Sequence, residues 1–217
     1  GTMLSFGEEL LLLALDDEKG TIVDKTSVKY GLVGALLMDL ALANKIDTDI
    51  ENLMIVDTSP TGDDILDDVL TQIAQSKGTR TISYWLVNLS QNSNTIKERL
   101  LDRLIQKGIL KKEEQKILWV FARRRYPVRD DKEEKEVKTR IREVILSDSI
   151  PDSRDVVLIS LIKGCYLVDE IFSHKEIDAV KGRIEQIARM DLIGQTLSGI
   201  IESVTRAMAT AGMYPGF

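Results

Sequence analysis

Residues 31–43, GLVGALLMDLALA, are apolar on nearly every helical face. A helix with no polar side is stable only when covered all round, so this segment, extended back to Ser27 as its N-cap, predicts a helix buried in the middle of the fold. It is too short for the roughly 20 residues a bilayer requires, and it contains Asp39, so any membrane contact must be peripheral. Upstream, residues 4–15 (LSFGEELLLLAL) place Ser5 three residues before Glu8, the spacing of a capping box, and predict a helix that stops at 16–20. Downstream, residues 50–57 (IENLMIVD) alternate in part and predict a short strand. Residues 59–63 (SPTGD) are a turn leading into a helix over 65–74, with Asp63, Asp64, Asp67 and Asp68 at its positive end. Helices are then expected at 82–89, at 96–110 stopped by Gly108, from the charged run at 130–136 to 146, and over 156–167, 177–190 and 192–209. The economical reading is a mainly α chain, one helical-bundle domain spanning 1–217, with one or two small β elements.

Composition agrees. Apolar residues make up 43% and charged residues 29%, as in an ordinary folded chain, while aromatics are only 5% and leucine and isoleucine abound, which favours packed helices over a sandwich or barrel. Cys165 stands alone, which excludes an internal disulfide and a thiolate zinc site and points to a reducing compartment, the cytoplasm by default. Gly1 and Thr2 before Met3 read as a cloning remnant, and no signal peptide is expected after them.

Charge is unevenly placed. Residues 94–142 carry 16 Lys or Arg against 9 Asp or Glu, a balance of +7, so the other residues carry −13 to reach the net −6. One segment of an acidic protein is therefore built to meet anions. Its first part, IKERLLDRLIQKGIL at 96–110, is an amphipathic helix; in the plainest reading Lys97, Arg99, Arg103 and Lys107 solvate its outer face while Ile96, Leu100, Leu101, Leu104 and Ile105 pack inward. The following residues, 111–130 (KKEEQKILWVFARRRYPVRD), predict a hairpin whose second arm mixes Trp119, Phe121 and Tyr126 with Arg123, Arg124 and Arg125. Cations beside interfacial aromatics at a turn suit a membrane-docking element. They also fit a winged helix, with residues 96–110 as recognition helix, although no second basic patch supports nucleic-acid binding.

Catalysis finds little in this sequence. The lone His174 has no metal-binding or triad context and sits at a helix start, where a solvated or capping histidine is the ordinary case. Cys165, in an apolar helix, reads as a small packing residue. The four aspartates at 63–68 share a helix face as a metal site would, but they lack a cation-loop spacing and already have a structural reason to be in a first turn. No cofactor is expected.

Taken in order, EELLLLALDDEKG at 8–20, GLVGALLMDLALANKI at 31–46, SPTGDDILDDVL at 59–70, ISYWLVNLS at 82–90 and IKERLLDRLIQKGIL at 96–110 resemble the Golgi phosphoprotein 3 family, and the likeness continues through 155–189. The resemblance implies a helical domain with a protruding hairpin, and a peripheral membrane protein whose eukaryotic relatives recognise phosphatidylinositol 4-phosphate. It further implies a headgroup pocket made by a tryptophan before the second helix, an arginine in that helix and two basic residues on the later one. Here residues 22–26 (IVDKT) hold no aromatic, the helix arginine corresponds to Val33, and the two basic positions correspond to Asn94 and Lys97. A charge-assisted bond to phosphate contributes roughly 1.5–3 kcal/mol, so two missing donors remove several orders of magnitude in affinity. These departures, and the short chain, would suit a prokaryotic or early-branching relative.

The resulting expectation is a non-enzymatic, cytoplasmic, peripherally membrane-associated protein that binds anionic phospholipid, phosphatidylinositol 4-phosphate included. Lys97 lines the pocket with Lys25 and Lys29 as helpers, Arg123, Arg124 and Arg125 meet phosphates, and Trp119, Phe121 and Tyr126 enter the interface. By resemblance it also acts as an adaptor for cytosolic tails of membrane proteins. Self-association through the apolar hairpin edge at 117–121 is a further expected contact.

Overall fold

The computed structural model describes residues 4–16, 21–22, 26–114, 116–119, 132–147 and 149–210. The helices are α1 (Phe6–Ala14), α2 (Thr26–Leu42), α3 (Asp64–Gln75), α4 (Ile82–Ser90), α5 (Ser93–Gln106), α6 (Lys132–Leu146), α7 (Ser153–Gly164), α8 (His174–Ala188) and α9 (Leu192–Thr210). Between them lie β1 (Leu15–Asp16), β2 (Thr21–Ile22), β3 (Ile46–Thr48), β4 (Asn52–Ile55), β5 (Arg80–Thr81), β6 (Leu110–Glu113) and β7 (Lys116–Trp119). The protein is mainly α, as its composition predicts.

Helix α2 occupies the centre and packs against α1, α3, α4, α5, α7 and α9. Leu32, Val33, Ala35, Leu36, Leu37, Met38 and Leu40 are all 0–1% exposed, though they point in every direction around the helix. It starts at Thr26, so Ser27 is not its N-cap as the sequence suggested but a buried residue in its first turn. Close helix approach comes from missing side chains. A Cβ on Gly31 would meet the Cys165 Sγ at 2.3 Å, and one on Gly34 would meet Leu197 of α9 at 3.0 Å. Cys165 is thus a packing residue, fully buried, whose thiol also points to the Ser27 carbonyl.

Local signals set the helix ends. Ser5 and Glu8 form the predicted capping box on α1, Asp63 caps α3 through the amides of Ile65 and Leu66, and Ser173 with Glu176 caps α8, which places His174 at its first position. Helix α5 runs three residues earlier than predicted and ends earlier too. Gly108, at φ 74°, lets its amide reach the Ile105 carbonyl while the Ile109 amide reaches Leu104, a Schellman closure that ejects Leu110 into a strand.

More β structure is present than the sequence signalled, in three antiparallel sheets among the described residues: β1–β2, β3–β4–β5 and β6–β7. The last is the expected hairpin as far as Trp119, with Leu110 opposite Trp119 and Glu113 opposite Lys116 and a turn through Glu114 at φ 55°; the rest of the predicted second arm, 120–130, lies outside the described residues. The hairpin rests on β2. Strands β3 and β5 are two or three residues long and lack a readable alternation; pairing with β4, not propensity, creates them.

Replacing Gly31 by Ala should cost about 1–3 kcal/mol in urea denaturation by overpacking against Cys165. The loss should shrink in a Cys165→Ala background, because the sulfur is what the new methyl meets.

Candidate functional site

The basic helix α5 buries Leu100 and Leu104 completely and Ile96 and Leu101 nearly so, with Ile105 half-buried. Arg99, Arg103 and Lys107 follow at four-residue spacing along one side. They do not merely solvate it. Arg99 donates to Asp68 at 2.7 Å and to Asp64 at 2.9 Å, Arg103 to Asp63 at 2.6 Å and to Asp64 at 2.5 Å, and Lys107 to Glu8 at 2.6 Å. The plain outer-face reading is corrected for these three residues: they fasten α5 to α3 and α1.

The same contacts account for the aspartates. Asp63 serves as helix cap and as partner of Arg103; Asp64 is held below the usual carboxylate range by its bond from Arg99, and Asp67 by bonds from the hydroxyl and amide of Thr61. Their oxygens are engaged by internal donors, which is the physical answer to the metal reading. Among the described residues no group of three or more His, Cys, Asp or Glu could hold a metal ion.

What remains for an external anion is narrower. Lys97 lies half-buried on α5 and makes no ion pair among the described residues, and Lys29 is exposed on α2 with its ammonium 5.7 Å from the Tyr30 ring. Helices α2 and α5 pack together. Val33 is fully buried, so the position that the resemblance assigns to a pocket arginine belongs here to the core. Asn94 is exposed one turn before Lys97. Trp119 ends β7 with its backbone paired to Leu110. Lys25, Phe121, Arg123, Arg124, Arg125 and Tyr126 lie outside the described residues.

Two features escaped the sequence reading. The first is a buried charge cluster around the start of α1. Glu8 and Glu9 are each 2% exposed; Glu9 accepts from Arg140 of α6 at 3.1 Å and from Arg154 of α7 at 3.0 Å, and Arg154 also bonds the Leu4 carbonyl and stands 4.4 Å over the Phe6 ring. Asp39 of α2 accepts the Phe6 amide at 3.1 Å, and burial lifts its carboxyl to about 7. The signal was available: acidic residues in apolar helices need buried partners.

The second is a cavity of about 490 Å3 between α7, α8 and α9. Val168, Ile177 and Ile184 give it apolar walls, and Asp169, Asp178, Glu185 and Glu202 outnumber Lys163 and Lys181 around them. Tyr166 lines it from a left-handed backbone position, φ 58°, which bulky residues rarely occupy.

Comparison with known proteins matches residues 6–204 to the family described as Golgi phosphoprotein 3 (GPP34). The chain belongs to the Golgi phosphoprotein 3 family. Among curated relatives it is 29% identical over 169 residues to vacuolar protein sorting-associated protein 74 of Eremothecium gossypii, an alignment covering 68% of this chain and 50% of that one. The chain thus spans about half the length of this relative. No helix among the described residues is long and apolar enough to cross a membrane.

Replacing Arg103 by Ala leaves the half-buried Asp63 without its cation and should cost about 1–3 kcal/mol in urea denaturation. Lys97→Ala should stay within about 0.5 kcal/mol of wild type.

Proposed function

We propose that this member of the family is a non-enzymatic peripheral membrane protein that docks on anionic phospholipid from the cytoplasmic side. The observation that carries the reading is how the basic segment divides. Arg99, Arg103 and Lys107 are neutralised within the fold, whereas the run Arg123 to Arg125 follows β7 in sequence as the densest cluster of cations in that segment. In sequence that run stands beside Trp119, Phe121 and Tyr126, the residue types that sit at a membrane interface. Lys97 and Lys29 add cations on α5 and α2. With Val33 in the core and Asn94 uncharged, binding depends on surface charge more than on a phosphatidylinositol 4-phosphate pocket.

The division of charge also weighs against the nucleic-acid alternative, since Arg99, Arg103 and Lys107 of the would-be recognition helix already face carboxylates. Absence of duplex DNA retardation near physiological salt is the expected result.

An adaptor role draws on a separate observation, the cavity between α7, α8 and α9. Its acidic excess over an apolar wall complements a short segment carrying lysine or arginine with one large apolar side chain. Cytosolic segments next to a membrane span are enriched in those cations.

Flotation on neutral, phosphatidylserine and phosphatidylinositol 4-phosphate vesicles tests the membrane reading. Wild type should float on both anionic vesicles, and the Arg123, Arg124, Arg125 to Ala triple variant should lose about 3 kcal/mol, roughly a hundredfold. Flotation on none overturns it. For the adaptor role, a lysine-rich peptide with one leucine should bind wild type and lose affinity to a Glu185→Lys, Glu202→Lys variant; equal binding to both sinks that assignment. Sedimentation of wild type against Ile117→Lys reads self-association through the hairpin.

A further inference from the structure

Helices α2, α5 and α7 end in the same way. One residue turns into the left-handed region, its amide reaches the carbonyl three residues back, and the next amide reaches the carbonyl five residues back. The residue in that position is Asn44 at φ 59° after α2, Gly108 at φ 74° after α5 and Tyr166 at φ 58° after α7. Glycine has no Cβ to clash there, and asparagine tolerates the conformation. A tyrosine has neither advantage, and the clash of its Cβ weakens the folding equilibrium by at least about fivefold.

The turn accounts for the backbone but not for the residue type. Leu167 closes it by entering the core beside Ile162, at 1% and 3% exposure, which a glycine at 166 would permit equally. Tyr166 itself is 48% exposed, so it is not placed there to fill the core. Its side chain lines the cavity between α7, α8 and α9. Strain kept at an exposed position is a mark of a side chain in use.

The surroundings define that use. Ile177 and Ile184, two turns apart on α8, give the cavity its apolar wall with Val168, and Asp178 and Glu185 follow them by one residue each. Asp169 and Glu202 complete the acidic lining. None of these four carboxylates forms an ion pair among the described residues. An aromatic ring and uncommitted carboxylates around one space offer a cation a π face together with neutralising charge.

We propose that Tyr166 is the specificity-determining contact of this cavity, its ring receiving the cationic side chain of a bound segment while Ile177 and Ile184 receive the apolar one. The assignment rests on the adaptor reading of the cavity and adds the residue that selects the cation. A glycine, which the chain uses at 108, would relieve the turn and remove the ring.

Calorimetric titration of the full chain with a lysine-rich peptide carrying one leucine tests this, with urea denaturation of each variant alongside. Tyr166→Phe should bind within about twofold of wild type and Tyr166→Leu about fivefold more weakly, although both keep a Cβ in the left-handed position. Tyr166→Gly should also bind about fivefold more weakly, while its urea midpoint stays at or above that of wild type because the released strain offsets the lost contact. Wild-type affinity in the Leu or Gly variant overturns the role of Tyr166 and leaves the adaptor site standing. Affinity lost only together with a lower urea midpoint marks a structural tyrosine and overturns it as well. No binding to wild type, or binding unaffected by Glu185→Lys, Glu202→Lys, overturns the adaptor reading and the assignment with it.

Discussion

A helix without a polar face governs this architecture. Because α2 offers no side to water, six other helices must meet it, and their arrangement follows from where its small residues permit approach. Gly31 admits Cys165 from the end of α7, Gly34 admits Leu197 of α9, and α1 lies alongside. The remaining elements form a second shell whose charged residues need only satisfy one another, and this is where the individuality of the molecule lies. The core fixes the position of α5; the ion pairs fix which of its cations stay available.

Those ion pairs form two groups with different physics. Between α3 and α5 the carboxylates of Asp64 and Asp68 are largely exposed, so each pair adds little and their collective effect is register, holding α5 at one rotation about its axis. At α1 the carboxylates are buried: Glu8 has Lys107 as its one ion-pair partner among the described residues, so losing that cation would strand a charge away from water, while Glu9 shares Arg140 and Arg154. The exposed pairs of Arg99 can be trimmed; Lys107 opposite Glu8 cannot.

The backbone was readable where a local rule set it. The capping box at Ser5, the aspartate cap at Asp63 and the stop at Gly108 each depend on residues within one turn. The start of α2 was misplaced because Ser27, a good cap by type, is buried beneath α7 and the helix extends past it to Thr26. Strands β3 and β5 were invisible because only their partner β4 creates them. The basic segment was legible as a net charge but not as a division between cations paired in the fold and Lys97. No spacing rule reveals that Arg103 meets an aspartate 40 residues away while Lys97, two turns earlier, does not.

The pairing of α5 with α3 and α1 has a consequence for ionic strength. At 0.15 M salt the screening length is about 8 Å, well beyond the 2.5–2.9 Å of these contacts. Added salt therefore acts weakly on cations already in contact with a carboxylate and strongly on those that attract a partner across water. The ion pairs of α5 therefore keep the helix in place through changes of salt that would weaken any attraction acting across water.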